Sequence, residues 1–487
     1  MSQPFAPVSV SDYLCLPERH VSRKRHPFND LRLFHRWQVL SDGMAEAQSI
    51  VIRQVANGAA EAASFYRFCS NCRVSHSELI HMSCQADSAA FASRHVLLMG
   101  DSSSFNLKKH IGRIQDPEKL GVLEDNKTPG FFSHVQLALD AQSKNVLGLA
   151  DILLWCRPAC LSKEPPSSDW TERESYRWYL AAEHAAKTYS VAPMRTVVLD
   201  READSYELFA HLRQLPDTHF LIRIRFDRKV WWQGQKALLS QCLAESPLLG
   251  SYELELPALD HHSPTSSKRV RRQARTAHIE VRSCFIHLPA PGKVPSSNGM
   301  PLWIIEARET NAQLVGSERP ILWRLATTHP VESFEQALQC IGYYVSRWSI
   351  EQLFRTMKKQ GLDLESTEQE TVDAIFRQTI LAFHTASRTL QLTYARDKQE
   401  SQPIDETFSP EEQQVLNQLN QRFQGTTDKQ RNPYPNNQTS WAAWVIARLG
   451  GWKGYHSERP PGPITFKRGL AKFDVFVQAY RMFNASG

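Results

Sequence analysis

Two short apolar runs that each end in an aspartate constrain the fold of this chain most strongly. The first is His95–Asp101 and the second is Arg195–Asp200. Short apolar runs of this kind are typical of buried strands, and the active sites of open sheets collect at strand ends. The runs therefore predict an α/β fold with an aspartate at the end of each strand. Because such residues also cap helices and form turns, a structural role for each stays open.

The stretch from residue 344 to residue 358 predicts one continuous helix. It contains no Gly or Pro, and Gly361 follows it as a stop. At about 100° per residue, one narrow stripe beside an apolar face carries four polar residues: Tyr344, Arg347, Glu351 and Lys358. A carboxylate can hold a divalent cation, and Arg and Lys bind phosphate oxygens. The alternative is an ordinary amphipathic helix with solvated charges.

Composition is that of a soluble globular protein of two to four domains. The chain has 487 residues, a formal net charge of +6 and 9 cysteines. It contains no apolar run of about 18 residues, and its start lacks the apolar core of a signal peptide. We therefore expect a cytoplasmic protein without a membrane span. Cys69 and Cys72 form a lone Cys-x2-Cys, for which buried free thiols are favoured over a zinc site.

Several motifs give the chain a resemblance to a known family. The run Asp200–Asp204 reads Asp-Arg-Glu-Ala-Asp, and the helix reads Tyr-x2-Arg-x3-Glu-x6-Lys. Both resemble signatures of the bacterial cut-and-paste DDE transposases of insertion-sequence family four. At the first run this chain has Asp101-Ser102-Ser103, where the family more often has Asp-Thr-Thr. The resemblance implies a ribonuclease-H-like core in which Asp101, Asp200 and Glu351 hold two Mg²⁺ ions, with Mn²⁺ as a substitute.

The resemblance also implies a set of DNA contacts. Tyr344, Arg347 and Lys358 would grip phosphates, and Arg223, at the end of the strand Phe220–Arg223, would contact DNA near the cleavage site. Trp323 would stack on a base extruded from the transposon end, although a strand Trp is more usually core. Trp348 is a second aromatic candidate, and Arg355 of the same helix is a further expected DNA contact.

The chain is expected to have three regions: a helical DNA-binding domain over residues 1–88, a catalytic domain over 89–395 and a helical dimerisation region over 396–487. The element Ala62–Phe68 resembles part of the family's N-terminal DNA-binding domain. The purely structural alternative for both terminal regions is that their helices pack only on their own chain. The overall prediction is an α/β ribonuclease-H-like core between two helical domains.

A β-rich insertion at about residues 223–323 explains the long gap between Asp200 and Glu351. Three stretches in it have the pattern of strands, around Tyr252–Leu256, Ala277–Arg282 and Leu302–Ile305. A basic run within the insertion is predicted to hold DNA phosphates, although a solvated hairpin tip is an equal alternative. Its cations are Lys268, Arg269, Arg271 and Arg272, followed by Arg275.

The resemblance implies a transposase that acts on double-stranded DNA. It would bind the terminal inverted repeats of its element, cut by metal-dependent hydrolysis, form a hairpin intermediate and join 3′ ends to target DNA. A homodimer associated with the bacterial nucleoid is the expected assembly. The alternatives are a catalytically silent DNA-binding regulator and a metal-dependent nuclease that cuts without joining.

Overall fold

A computed structural model of the protein divides the chain into two compact units. One unit comprises Met1–Arg195 and Trp348–Gly487, and we call it the split unit; the other comprises Thr196–Arg347, and we call it the middle unit. The structure describes residues 28, 30–47, 49–84, 91–158, 169–262, 269–311, 319–358, 362–396, 401, 403–425, 431–454 and 460–484. The three-region division expected from the sequence stays a prediction.

The N-terminal region is helical, as predicted, but its helices are shorter than the sequence pattern indicated. They are α1 (Leu31–Ala47), α2 (Ile52–Val55), α3 (Ala59–Cys69) and α4 (His76–Ser83). Helix α4 begins after Ser75, whose side chain accepts a hydrogen bond from the Glu78 backbone N–H and so satisfies one donor of the first turn.

An antiparallel sheet in the split unit contains the first predicted strand. Its elements and the helix that follows are β1 (His95–Asn106), β2 (Gly121–Val122), β3 (Pro129–Asp140), β4 (Val146–Trp155) and α5 (Arg177–Thr188). Strand β3 is central, with β1 on one side and both β2 and β4 on the other. Helix α5 packs against β1, β3 and β4.

The prediction that the first strand ends at Asp101 is wrong. Strand β1 continues to Asn106, and Asp101 lies within it, opposite Val135 of β3. The serines that follow Asp101 do not form a turn, because they pair with β3. Asp101 is therefore held in a strand by neighbours on both sides of it along the chain.

The middle unit is built on a second, larger run of strands. In chain order its elements are β5 (Met194–Leu199, in this unit from Thr196), α6 (Tyr206–Leu212), β6 (Thr218–Arg223), β7 (Lys229–Trp232), β8 (Gln235–Leu238), α7 (Leu239–Glu245), β9 (Leu248–Leu256), β10 (Leu259–His262), β11 (Arg269–Arg272), β12 (Arg275–Leu288), β13 (Met300–Glu309), β14 (Leu322–Thr327) and α8 (Phe334–Ser346). The strand order is β5-β6-β14-β13-β12-β7-β8, with β9 also paired to β12 and β10 paired to β11.

The strands predicted in the insertion are confirmed as β9, β12 and β13. On β12 the alternation is clear, because Ala277, Ile279 and Val281 are buried whereas the residues between them are partly exposed. The prediction that a strand ends at Arg223 is also confirmed, by β6. Period-two alternation was a sufficient signal here because one face of β12 is covered and the other is not.

The C-terminal part of the split unit is helical. Its helices are α9 (Trp348–Met357), α10 (Val372–Ala395), α11 (Pro410–Phe423), α12 (Thr439–Leu449) and α13 (Pro463–Asn484). The expectation of a helical region after residue 396 agrees with α11, α12 and α13. Helices α11, α12 and α13 share one apolar core, in which Trp441, Trp444 and Phe466 are buried. None of the helices that the structure describes is long and apolar enough to cross a membrane.

A buried arginine on α10 joins the N-terminal helices to this part of the fold. The Arg377 side chain donates to the Val74 carbonyl at 2.6 Å and to the Cys69 carbonyl at 2.8 Å. Burial raises the pKa of the Cys69 thiol to about 12, so this cysteine is a buried neutral thiol, as expected, whereas Cys72 is exposed.

Candidate active site

Two of the three predicted carboxylates belong to packed elements of the split unit. Asp101 and Phe105 are four residues apart and so project from the same face of β1. Lys358, which directly follows α9, places its ammonium nitrogen 5.7 Å from the centroid of the Phe105 ring. Glu351 is seven residues before Lys358 and therefore shares its side of the helix. Helix α9 packs against β1, and Lys358, on the Glu351 side of the helix axis, contacts the face of β1 that carries Asp101.

The Asp101 carboxylate is tied to the strand itself. Its Oδ1 accepts a hydrogen bond from the Ser102 backbone N–H at 2.8 Å, and both residues are partly buried. A carboxylate bonded to its own strand has fewer orientations available than one on a free turn.

The prediction of one continuous helix from Tyr344 to Lys358 is wrong. Helix α8 ends at Ser346 and α9 begins at Trp348, with Arg347 between them. Arg347 keeps a helical backbone conformation, with φ −56° and ψ −27°. The proposed stop, Gly361, lies outside the described residues. Tyr344 and Arg347 consequently belong to the middle unit, whereas Glu351 and Lys358 belong to the split unit.

Asp200 follows the last residue of β5, so its position at a strand end is confirmed. Its Oδ1 accepts a hydrogen bond from the Glu202 backbone N–H at 2.8 Å and caps a short 3₁₀ turn, Arg201–Ala203. The capping role that the sequence left open is therefore present in the structure. A capping bond to one oxygen fixes the direction of the carboxylate.

Asp204, the last residue of the Asp-Arg-Glu-Ala-Asp run, organises the loop after β6. Its buried carboxylate accepts from the backbone N–H groups of Arg225 at 2.8 Å and Phe226 at 3.2 Å, and from Arg228 Nη2 at 2.7 Å. Sequence reasoning assigned it no role of its own. The motif thus supplies a capping carboxylate at its start and a loop-binding carboxylate at its end.

We expect Asp204→Ala to destabilise the middle unit. The change leaves the Arg228 guanidinium and two backbone N–H groups without their acceptor, which costs about 2–4 kcal/mol. Urea unfolding followed by tryptophan fluorescence would measure this. Glu245→Ala, which removes an exposed carboxylate from helix α7 of the same unit, is the matched control. Equal midpoints for the two variants would show that the Asp204 bonds contribute nothing to stability.

An aromatic and basic cluster in the middle unit unites several predicted DNA contacts. The Trp323 and Tyr344 rings meet edge to face, with centroids 5.8 Å apart, and the Arg347 guanidinium carbon lies 5.9 Å from the Tyr344 centroid. Arg223 Nη2 donates to the Leu322 carbonyl at 3.3 Å, beside Trp323. Trp323 is partly exposed whereas Tyr344 is buried, so the Trp ring is the accessible aromatic surface of this cluster.

Trp348 and Arg355 form a separate pair on α9. The indole is 52% exposed, and the Arg355 guanidinium carbon lies 5.5 Å from its ring centroid. An exposed aromatic ring with a cation stacked on it suits contact with nucleic acid.

The remaining predicted DNA contacts belong to the basic run of the insertion and to the N-terminal element. Lys268 lies outside the described residues. Arg269, Arg271 and Arg272 belong to β11, which pairs with β10, and their roles stay predictions. In the N-terminal element Ala62–Phe68, the structure shows mainly packing: Phe65 and Phe68 are buried, and the Tyr66 hydroxyl donates to Glu368 at 2.8 Å.

The three predicted metal ligands are all carboxylates. Asp101, Asp200 and Glu351 supply only oxygen donors, which suit a hard divalent cation. Among the described residues, however, no three His, Cys, Asp or Glu side chains are close enough to hold a metal ion together. The chemistry of the donors fits Mg²⁺, and the joint binding of metal by these carboxylates stays a prediction.

Part of the chain matches a known protein family. Residues 181–387 match a family model described as the transposase DDE domain. This stretch of the chain is similar to that domain. That domain supports transposase activity, implies DNA as the substrate and implies a ribonuclease-H-like α/β core, with which the mixed sheets and helices agree. Such enzymes generally use divalent metal ions. The matched region includes Asp200 and Glu351 and begins after Asp101.

Proposed function

We propose that this protein is a cut-and-paste transposase of insertion-sequence family four. It binds the terminal inverted repeats of its element, excises the element through a DNA hairpin and joins the 3′ ends to target DNA. The observation that carries the proposal is the packing of α9 on the Asp101 face of β1, which brings the helix of Glu351 to the strand of Asp101. The DDE-domain match over residues 181–387 supports it.

The residues of this chain have distinct roles in the proposed reaction. Asp101, Asp200 and Glu351 would hold divalent ions, Mg²⁺ in the cell, and bound ions of this kind supply a nucleophile and stabilise charge on phosphate oxygens. Arg347 and Lys358 bind backbone phosphates. Trp323 offers a ring on which an extruded base stacks, which gives the strand room to bend.

The assembly and location follow from the same proposal. Two transposon ends must be brought together, so the active species is a homodimer that holds two DNA ends. The helices in residues 396–487 supply the contacts between protomers, and residues 1–88 bind the ends. The protein acts in the cytoplasm, on the DNA of the nucleoid.

A cleavage assay tests the proposal. Purified protein is mixed with Mg²⁺ and a labelled duplex carrying the terminal inverted repeat that flanks its gene, and the products are separated on a denaturing gel. A hairpin is expected as a species of twice the strand length. Nicks without hairpin or joined product would identify a nuclease. Salt-sensitive binding without any cut strand would identify a regulator.

We expect Trp323→Leu to lower hairpin formation and leave the first nick nearly unchanged. Loss of base stacking costs about 1–3 kcal/mol, which corresponds to roughly 5–150-fold less hairpin at a given time. The matched control is Trp303→Leu, because Trp303 is also a partly exposed strand Trp of this unit. If both variants form hairpin at the same rate, the stacking role of Trp323 is wrong.

A further inference from the structure

A buried hydrogen-bond chain lies behind Asp101, on the opposite face of β1. It begins at Ser102, the next residue, whose side chain points to the other face because successive strand residues alternate. The Ser102 Oγ lies 2.9 Å from His134 Nδ1 of β3 and accepts from Arg177 Nε of α5 at 3.4 Å. Ser102 is thus held by two other elements of the split unit.

His134 is neutral in this site. The side chain is completely buried, and burial, with a smaller contribution from the Arg177 charge, holds the pKa of His134 well below its usual range. The imidazole also packs edge to face on Trp178, with centroids 4.6 Å apart. A neutral ring has one acceptor nitrogen; in the tautomer whose acceptor is Nδ1, the Ser102 hydroxyl accepts from Arg177 and donates its proton to His134 Nδ1.

The other ring nitrogen of His134, Nε2, is the last donor of the hydrogen-bond chain. It lies 3.5 Å from the side-chain nitrogen of Gln136, and the Gln136 Oε1 is buried with no hydrogen-bond partner among the described residues. Turning this amide by 180° exchanges the two atoms and lets His134 Nε2–H donate to the oxygen. The hydrogen bonds then run in one direction, from Arg177 through Ser102 and His134 to Gln136.

Arg177, at the other end, is itself fixed. Its Nη1 donates to the Glu174 carbonyl at 3.0 Å, and its guanidinium carbon lies 5.3 Å from the Trp155 centroid and 5.2 Å from the Trp178 centroid. A guanidinium held between two indoles has few alternative orientations, so the Ser102 hydroxyl is bonded to a rigid partner.

We propose that Ser102 and His134 are positioning residues that set the direction of the Asp101 carboxylate. The Asp101 Oδ1 is bonded to the Ser102 N–H, and the Ser102 side chain is bonded to His134 and Arg177, so the peptide unit between the two faces of β1 cannot rotate without breaking buried hydrogen bonds. The inference rests on the proposed function, in which Asp101 holds metal.

Direct metal binding tests the inference without requiring activity. Mn²⁺ binding to the full-length protein is measured by electron paramagnetic resonance for the wild type and for Asp101→Ala, and the difference between them defines the Asp101 site. Substituting residues that orient metal ligands costs about 10–100-fold in metal affinity, so Ser102→Ala and His134→Leu should each weaken Mn²⁺ binding at this site by roughly 10-fold or more.

Two further variants separate positioning from general structural damage. His134→Asn should retain most of the affinity, because the Asn amide oxygen accepts a bond where Nδ1 does. His384→Leu is the matched control. His384 is a partly buried histidine of the split unit whose pKa is also lowered by burial, to about 4, and it contacts Trp37 instead. This control should bind Mn²⁺ like the wild type.

The outcomes are distinguishable. Unchanged Mn²⁺ affinity in Ser102→Ala and His134→Leu, with an Asp101-dependent site in the wild type, would overturn the positioning role and leave the proposed function intact. Equal loss in His134→Asn and His134→Leu would overturn it as well. If the wild type and Asp101→Ala bind Mn²⁺ alike, the metal role of Asp101 is wrong and both proposals fall.

Discussion

A Glu351→Gln protein should lose strand cleavage by about 10³-fold or more. Gln keeps the size of the side chain but lacks the negative charge that a divalent cation needs, and metal-assisted stabilisation of the transition state supplies several kcal/mol, each 1.36 kcal/mol being tenfold in rate. Nicking of the labelled end duplex at saturating Mg²⁺ measures the loss. Binding of the same duplex without metal should change little, because basic side chains dominate that affinity.

Glu118→Gln is the matched control for this experiment. Glu118 is an exposed glutamate on a short 3₁₀ turn of the same unit, and its loss removes the same charge elsewhere. It should cleave like the wild type. Cleavage by Glu351→Gln at more than a tenth of the wild-type rate would remove Glu351 from the reaction.

An Arg377→Met protein should lose the fixed attachment of its N-terminal helices. The guanidinium is 4% exposed and bonds two carbonyls of the N-terminal region as well as Asp373 of its own helix. Removing one partner of a buried charged network costs about 3–5 kcal/mol, equivalent to roughly 150–5,000-fold in an opening equilibrium. Backbone amides of α3 and α4 should exchange hydrogen faster by that factor, measured by mass spectrometry.

Arg67→Met provides the comparison for Arg377. Arg67 lies on the exposed side of α3, and its Nε donates to the Ala63 carbonyl of the same helix. Exchange should therefore rise by less than about threefold, in line with a surface substitution of under 0.5 kcal/mol. Comparable acceleration in both variants would mean that Arg377 does not anchor these helices.

The sequence predicted strands well where one face of a strand is covered. The alternation at Ala277–Val281 identified β12, and the apolar run before Asp200 located β5 correctly. It failed at Asp101, because the apolar run ends there although the strand continues to Asn106. In the structure the serines after Asp101 lie in β1, and Ser102 is hydrogen-bonded to His134 and Arg177, partners 32 and 75 residues away that no local pattern reveals.

In the candidate site, too, the sequence did not reveal features that lack a local signal. The interruption at Arg347 has no Gly or Pro to mark it, so helical periodicity carried the predicted helix across it. Asp204 was known only as part of a motif, because its acceptor role depends on backbone N–H groups 21 and 22 residues further along the chain. Local sequence preference predicts which helix or strand carries a carboxylate. Only tertiary contacts show which carboxylates bind the backbone of a distant loop.

Strand β1 also limits how genes for this protein can change in length. Its pairing with β3 runs without a shift from Val96 opposite Asp140 to Asn106 opposite Gly130. One codon inserted or deleted just before Asp101 would turn every later side chain to the opposite face, sending the carboxylate towards α5 and the serine hydroxyl towards α9. We therefore expect lineages that keep the activity to keep this stretch at constant length, and length changes to accumulate in surface turns such as residues 124–127.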